Sequence, residues 1–176
     1  MRESLGRRTN IVALLRTDGT TVNWWKRMQE QFSPLRQTHP HFGPLTYMRM
    51  PDEARSYWEG RLSFGPSDTE IEVFVDGGES GPSDSQLVCF KEITRRFPEL
   101  WPQFEERFAS FQLEWIRKPA GAAYSELYTV TSMSIPRALA ADMEWEISFD
   151  SQQDKAHLYT IEMRGWTAIG EVRVDG

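Results

Sequence analysis

Three histidines, one cysteine and a set of strand-borne carboxylates are the residues of this 176-residue chain that could do chemistry. His39 and His41 form the one His-x-His pair. On a strand their rings would share a face and could hold a metal, but Pro40 lies between them and neither Cys nor a third His stands nearby to complete a ligand set. A solvated loop is the better reading. His157 falls on the expected dry face of a strand, where a lone histidine is most often a hydrogen-bonded core residue, although its titration near neutral pH suits catalysis. Cys89 precedes Phe90 in an amphipathic stretch and reads as a buried, inert thiol. Gly77-Gly78 follows a strand, as phosphate loops do. It lacks the glycine spacing and the Lys-Ser/Thr of such loops, and Glu79 would repel a phosphate. These features call for no metal and no cofactor.

The carboxylates are the stronger group. Glu70, Glu72 and Asp76 lie in or beside one expected hairpin, with Glu79 just after it. Glu144, Glu146, Asp150 and Glu162 lie in or beside an expected C-terminal meander. A carboxylate pair performs acid–base chemistry only when a cleft raises the pKa of one member. Alternating Glu on a strand also serves simply as a solvated face that discourages edge pairing. A third use is an acidic surface that docks a basic partner, and residues 59–84 hold seven acids against one base.

Three stretches near the C-terminus must position these acids. Met143, Trp145, Ile147 and Phe149 alternate with Glu144, Glu146, Ser148 and Asp150, and a period of two puts the two sets on opposite faces of a strand. His157, Tyr159, Ile161 and Met163 alternate with Leu158, Thr160, Glu162 and Arg164. Gly165 allows a reversal, and Val172 and Val174 continue a third strand. One face is dry and one wet, as in an antiparallel sheet covered on one side.

Earlier in the chain, residues 10–16 read as a strand, and Thr21 caps a helix to about Phe32 with Val22, Trp25, Met28 and Phe32 on one stripe. Two prolines and a glycine interrupt Thr38–Pro44, which predicts no regular structure there. Leu45–Met50 reads as a strand. Ser56–Phe64 and Thr69–Asp76 form a hairpin, with Gly60 expected to mark a bulge. Ser83 and Gln86 fit a capping box. The helix behind it carries Leu87, Phe90, Ile93 and Phe97, and Pro98 is expected to end or restart it. A second helix then bears Trp101, Phe104, Phe108, Phe111 and Trp115. Glu126–Ile135 reads as a strand returning to the sheet. Trp58 and Trp166, each near a glycine, read as core or rim aromatics.

The order of elements predicts an α+β fold, a mostly antiparallel sheet with a C-terminal meander and one face covered by two central amphipathic helices. The length predicts a single domain, 1–176, with 1–42 a possible N-terminal appendage and 43–176 the core. One cysteine permits no internal disulfide and suits a reducing compartment. The apolar run Ile11–Leu15 is too short for a signal-peptide core or a membrane span. These features predict a cytoplasmic protein with no membrane association.

Net charge is −6 and uneven. Residues 1–50 hold eight Lys and Arg against three Asp and Glu; residues 51–140 hold nine against fifteen, and residues 141–176 three against eight. An acidic body lacks the concentrated basic surface that a phosphate backbone requires, so nucleic acid is not an expected partner. The charge polarity also admits a self-assembling module; the sequence sets no oligomeric state.

Two stretches carry a resemblance. The hairpin Tyr57-Trp58-Glu59-Gly60 with Ile71-Glu72-Val73-Phe74-Val75-Asp76, followed by helical sequence, is similar to a group of small bacterial α+β domains of unknown function. So is the ending His157-Leu158-Tyr159-Thr160-Ile161-Glu162-Met163 with Gly165-Trp166, Gly170 and Val174-Asp175-Gly176. Some members of that group are associated with immunity to polymorphic toxins. The resemblance spans residues 56–176 and brings no catalytic residues with it. It implies a non-enzymatic, immunity-type inhibitor that occludes a basic toxin with an acidic surface. Glu70, Glu72, Asp76, Glu79, Glu144 and Glu146 are the candidate partner-binding residues. The alternative reading is a small carboxylate-dependent enzyme, such as a hydrolase, using these acids with His157.

Overall fold

A computed structural model describes residues 34–111 and 118–175, all within a unit that spans Pro34–Gly176. The strand expected over residues 10–16, the helix over 21–32 and Trp115 lie outside the described residues. Eight strands form one sheet in chain order: β1 (Arg36–His39), β2 (Gly43–Met48), β3 (Tyr57–Phe64), β4 (Thr69–Asp76), β5 (Tyr128–Ile135), β6 (Glu144–Ser151), β7 (Leu158–Arg164) and β8 (Thr167–Asp175). Every neighbouring pair is antiparallel except β4 and β5. Parallel neighbours need a crossover, and the long helix α1 (Asp84–Ser110) lies in that connection, with the single turn α2 (Tyr124–Leu127) leading into β5. The α+β class, the hairpin β3–β4 and the meander β6–β7–β8 follow the alternation of the sequence.

Alternation divides the sheet into two faces. Ile71, Val73 and Val75 of β4 and Trp145, Ile147 and Phe149 of β6 are buried. They share a core with Ile93, Phe97, Leu100, Phe104 and Phe108 of α1. Aromatic edges interlock there: Phe149 meets Phe104 at 5.5 Å and Phe108 at 5.2 Å, and Phe108 stacks on Tyr128 at 3.8 Å between centroids. The Ser83–Gln86 capping box opens α1 as expected.

Three expectations need correction. One helix replaces the two, because α1 runs unbroken through Pro98 and Pro102. Both prolines are exposed, whereas Phe97, Leu100 and Phe104 between and beside them are buried. On the solvent side of a helix the freed carbonyls reach water, so the packing of the aromatic stripe outweighs the lost hydrogen bonds. Second, Thr38–Pro44 is partly regular: β1 and β2 pair from Arg36↔Thr46 to His39↔Gly43, and Gly43 turns at φ +68°. Phe42 of that turn is buried in the core. Third, Gly60 is no bulge, since β3 keeps register with both neighbours. Its missing side chain admits the neighbour instead. A Cβ there would stand 2.5 Å from Leu45 Cδ2 and 2.9 Å from the Pro44 carbonyl oxygen. Gly60→Ala is therefore expected to cost about 1–3 kcal/mol of stability. Urea unfolding checks this, and an unchanged midpoint would refute the close-approach reading.

The bulge lies elsewhere. Register shifts between Val130 and Ser132 on β5, and again opposite Gly170 on β8, where φ is +66°. Among the described residues no helix is long and apolar enough to cross a membrane, which says nothing of membrane β-barrels.

Candidate functional site: the open face of the sheet

The face turned away from α1 is built from the polar half of each alternation. Register lines six residues into one row across six strands: Arg61 opposite Glu72, Glu72 opposite Ser132, Ser132 opposite Ser148, Ser148 opposite Thr160, and Thr160 opposite Arg173. Small hydroxyl residues occupy the middle of the row and long charged ones its ends. The short centre leaves a trough of about 500 Å³. Its floor includes Thr131, Ser132, Ser148 and Thr160, and Phe74 and Leu158 add apolar wall. Five carboxylates (Glu70, Glu72, Glu146, Asp150 and Asp175) line it against two guanidiniums, Arg61 and Arg173.

The floor is tightly held. Ser148 and Thr160 share a hydrogen bond of 2.9 Å, and the Thr131 hydroxyl donates to the Ser148 carbonyl at 3.3 Å. The walls are ion-paired. Arg61 donates to Glu72 at 2.5 Å, and its pKa is raised by that bond and by the charges of Glu72, Glu70 and Glu59. Arg173 serves three carboxylates at once: Glu146 at 3.1 and 3.2 Å, Glu162 at 3.1 Å and Asp175 at 3.1 Å. The hydrogen bonds that Arg173 donates to Glu146 and Asp175 raise its pKa most. One cation among three anions leaves this wall negative. Glu70 and Asp150 make no ion pair among the described residues. They lie at the same end of the trough, since β4 and β5 are parallel and Asp150 stands opposite Thr129.

A second hollow of about 340 Å³ adjoins the first through Glu146, and Ser134, Glu144, Glu162 and Arg164 line it too. Here Glu144 pairs with Arg164 at 3.1 Å.

Of the six candidate residues, Glu70, Glu72, Glu144 and Glu146 come together on this face. Asp76 ends β4 on the same side, away from the trough. Its carboxyl pKa is raised, first by partial burial, which the charge of Arg137 opposes. Glu79 sits in the β4–α1 loop and pairs with Arg49. The sequence reading missed Arg61, Arg173 and the hydroxyl floor. Its available signal was the run of Ser and Thr at alternate polar positions, Ser132, Ser134, Ser148 and Thr160, where solvated strands usually carry longer side chains.

The histidines divide as follows. The His39 ring accepts from the backbone N–H of His41 at 3.2 Å and of Phe42 at 3.3 Å, which fits a turn role. Among the described residues no group of three His, Cys, Asp or Glu could hold a metal ion. His157 precedes β7, half-buried, with Nδ1 2.8 Å from Oδ2 of buried Asp154. Cys89 is fully buried, and burial pushes its thiol pKa up. Trp58 is fully buried, its indole N–H donating to the Gly78 carbonyl at 2.8 Å. Trp166 carries the Arg96 guanidinium over its ring at 4.6 Å.

Comparison with protein-family models, with curated proteins and with solved structures finds no match to the chain.

Proposed function

We propose that this protein is a cytoplasmic, non-enzymatic binding domain of the immunity-inhibitor type, and that the open face of its sheet occludes the basic surface of a toxin. The observation that carries this reading is the charge of the trough, five carboxylates against two guanidiniums on one face. The other face is committed to the core with α1. A negative face of this kind steers a cationic protein into encounter and sets its register. The same ion pairing speaks less well for acid–base catalysis: Glu72 and Glu146 are each engaged by an arginine rather than left to meet a substrate.

The test is a measured complex with a basic protein isolated from the native cell. Replacing Glu72 and Glu146 together by Lys is expected to weaken that complex at least about 100-fold, since close interfacial charge pairs couple by several kcal/mol. Wild-type affinity is expected to fall as salt rises. Both pairs broken by the change are exposed, so the variant should remain folded. Binding that is indifferent both to this reversal and to salt would sink the proposal.

A further inference from the structure

We propose a second binding site, separate from the trough: a cavity between α1 and the start of β5 that takes a neutral, planar, bicyclic heteroaromatic molecule with an N–H beside an acceptor on one edge. It does not depend on the partner-binding reading.

The cavity lies where the sheet comes apart. β4 and β5 are parallel neighbours, but their pairing begins only at Glu72↔Ser132. Just before that pair β5 shifts register between Val130 and Ser132, and such a bulge bends its strand. The space left measures about 530 Å³, inside the range usual for small-ligand pockets, ~300–1,000 Å³. Tyr128, Thr129 and Val130 line one side of it, and Pro66 and Ser67 of the β3–β4 turn line another. Phe97, Pro98 and Trp101 of α1 form the remaining wall.

Two independent observations point to a ligand. The first is a polar strand edge. The Gln152 N–H donates to the Leu127 carbonyl at 2.7 Å, so the hydrogen bonds of residue 127 run toward β6. Alternation then turns the backbone groups of Thr129 toward β6 as well, and those of Tyr128 and Val130 the other way, into the gap beside β4. The Tyr128 N–H is taken by the Tyr124 carbonyl. The Tyr128 carbonyl and the Val130 N–H are left, and no strand pairing reaches them. Both residues are buried. A backbone acceptor and donor left out of the ladder at a buried position are a standing cost that a ligand relieves.

The second observation is neutrality. No charged residue lines this cavity among the described residues, in a chain that is 26% charged. A charged ligand would lose water there and find no counterion. The walls offer ring surface instead. Phe97 and Trp101 stand 5.8 Å apart between centroids, and the Trp101 indole N–H is already spent on Glu105 at 2.9 Å. A flat neutral ring packs against such a wall. Its edge N–H then donates to the Tyr128 carbonyl while its adjacent acceptor receives the Val130 N–H.

The probes are 2-quinolone, whose ring N–H stands beside its carbonyl, and N-methyl-2-quinolone, which keeps the ring and loses the donor. Each is titrated by amide NMR into the full chain. 2-Quinolone is expected to bind with a Kd below about 1 mM and to shift the Val130 amide, and the methylated probe to bind at least about fivefold more weakly. Ser125 is exposed at the rim, and Ser125→Trp is expected to fill the mouth and weaken 2-quinolone about tenfold or more. Glu72→Lys with Glu146→Lys, in the trough, should leave 2-quinolone binding unchanged. Thermal unfolding verifies each variant; should Ser125→Trp fail to fold, the methylated probe, which needs no variant, carries the test. Absence of saturable binding up to about 1 mM, equal affinity for the two probes, or binding unmoved by a folded Ser125→Trp overturns the site. None of these results touches the partner face, which stands or falls on the native complex.

Discussion

Phe149→Ala is expected to cost about 3–5 kcal/mol of folding stability, the usual range for deleting a fully buried phenylalanine. Phe149 is completely buried at the centre of β6, where the sheet meets the long helix. Its ring faces Trp101 at 6.1 Å, Phe104 at 5.5 Å and Phe108 at 5.2 Å, each edge-on. Edge-to-face pairs add about 0.5–1.5 kcal/mol beyond area burial. The cavity opens between two elements that have few ways to collapse, since the helix also docks at β8: the Gln103 amide donates to the Trp166 carbonyl at 3.0 Å and accepts from the Ala168 N–H at 3.0 Å. Phe149→Leu should recover much of the loss by refilling the volume. Val88→Ala on the outer side of the same helix, 53% exposed, should stay within about 0.5 kcal/mol. Equilibrium urea unfolding with the slope compared across variants measures all three. A loss below about 1.5 kcal/mol for Phe149→Ala would show that the helix is not docked on this strand.

The same residue shows why the fold was partly legible. Ile147 and Phe149 alternate with Ser148 and Asp150, and period-two alternation reports faces directly. That sufficed for the meander, the β3–β4 hairpin and the dry side of each strand. The capping box was legible for the same reason, being a local arrangement of Ser83 and Gln86. Pro98 misled because local propensity cannot see the aromatic packing that outweighs it. Gly60 misled because a glycine in a strand signals either a bulge or a close approach, and the choice depends on Leu45, fifteen residues away. The candidate site shows the limit most clearly. Glu72, Ser132, Ser148 and Thr160 are adjacent only through strand register, and no local pattern encodes register between strands joined by a helix. The acids could be named singly from the sequence. Their pairing with Arg61 and Arg173, and the hydroxyl floor between them, are products of the assembled sheet.

Asp154→Ala is expected to be the costliest polar change, about 2–4 kcal/mol, because one buried carboxylate organises the whole β6–β7 connection. Its Oδ1 accepts from the Ala156 N–H at 3.0 Å, and its Oδ2 meets His157 Nδ1 at 2.8 Å and accepts from the Tyr159 hydroxyl. Tyr159 is fully buried, with its ring 5.5 Å from that of Tyr128. Hydrogen bonds to a charged acceptor are roughly twice as strong as neutral ones, and those of Ala156, His157 and Tyr159 converge here. Asp154→Asn keeps an acceptor but loses the charge, so it should fall between Ala and wild type. The charge has its own reporter. Burial, then the neighbouring Tyr124 and Asp154, push the Tyr128 phenol up to about 12. Removing a negative charge makes phenolate formation easier, so Asp154→Ala and Asp154→Asn should both lower the Tyr128 pKa, while burial holds it above the ordinary tyrosine value. Ring-carbon NMR of Tyr128 through an alkaline titration reads this shift, and urea unfolding reads the stability. A loss under about 0.5 kcal/mol together with an unmoved Tyr128 would mean that Asp154 bears no charge in the folded protein.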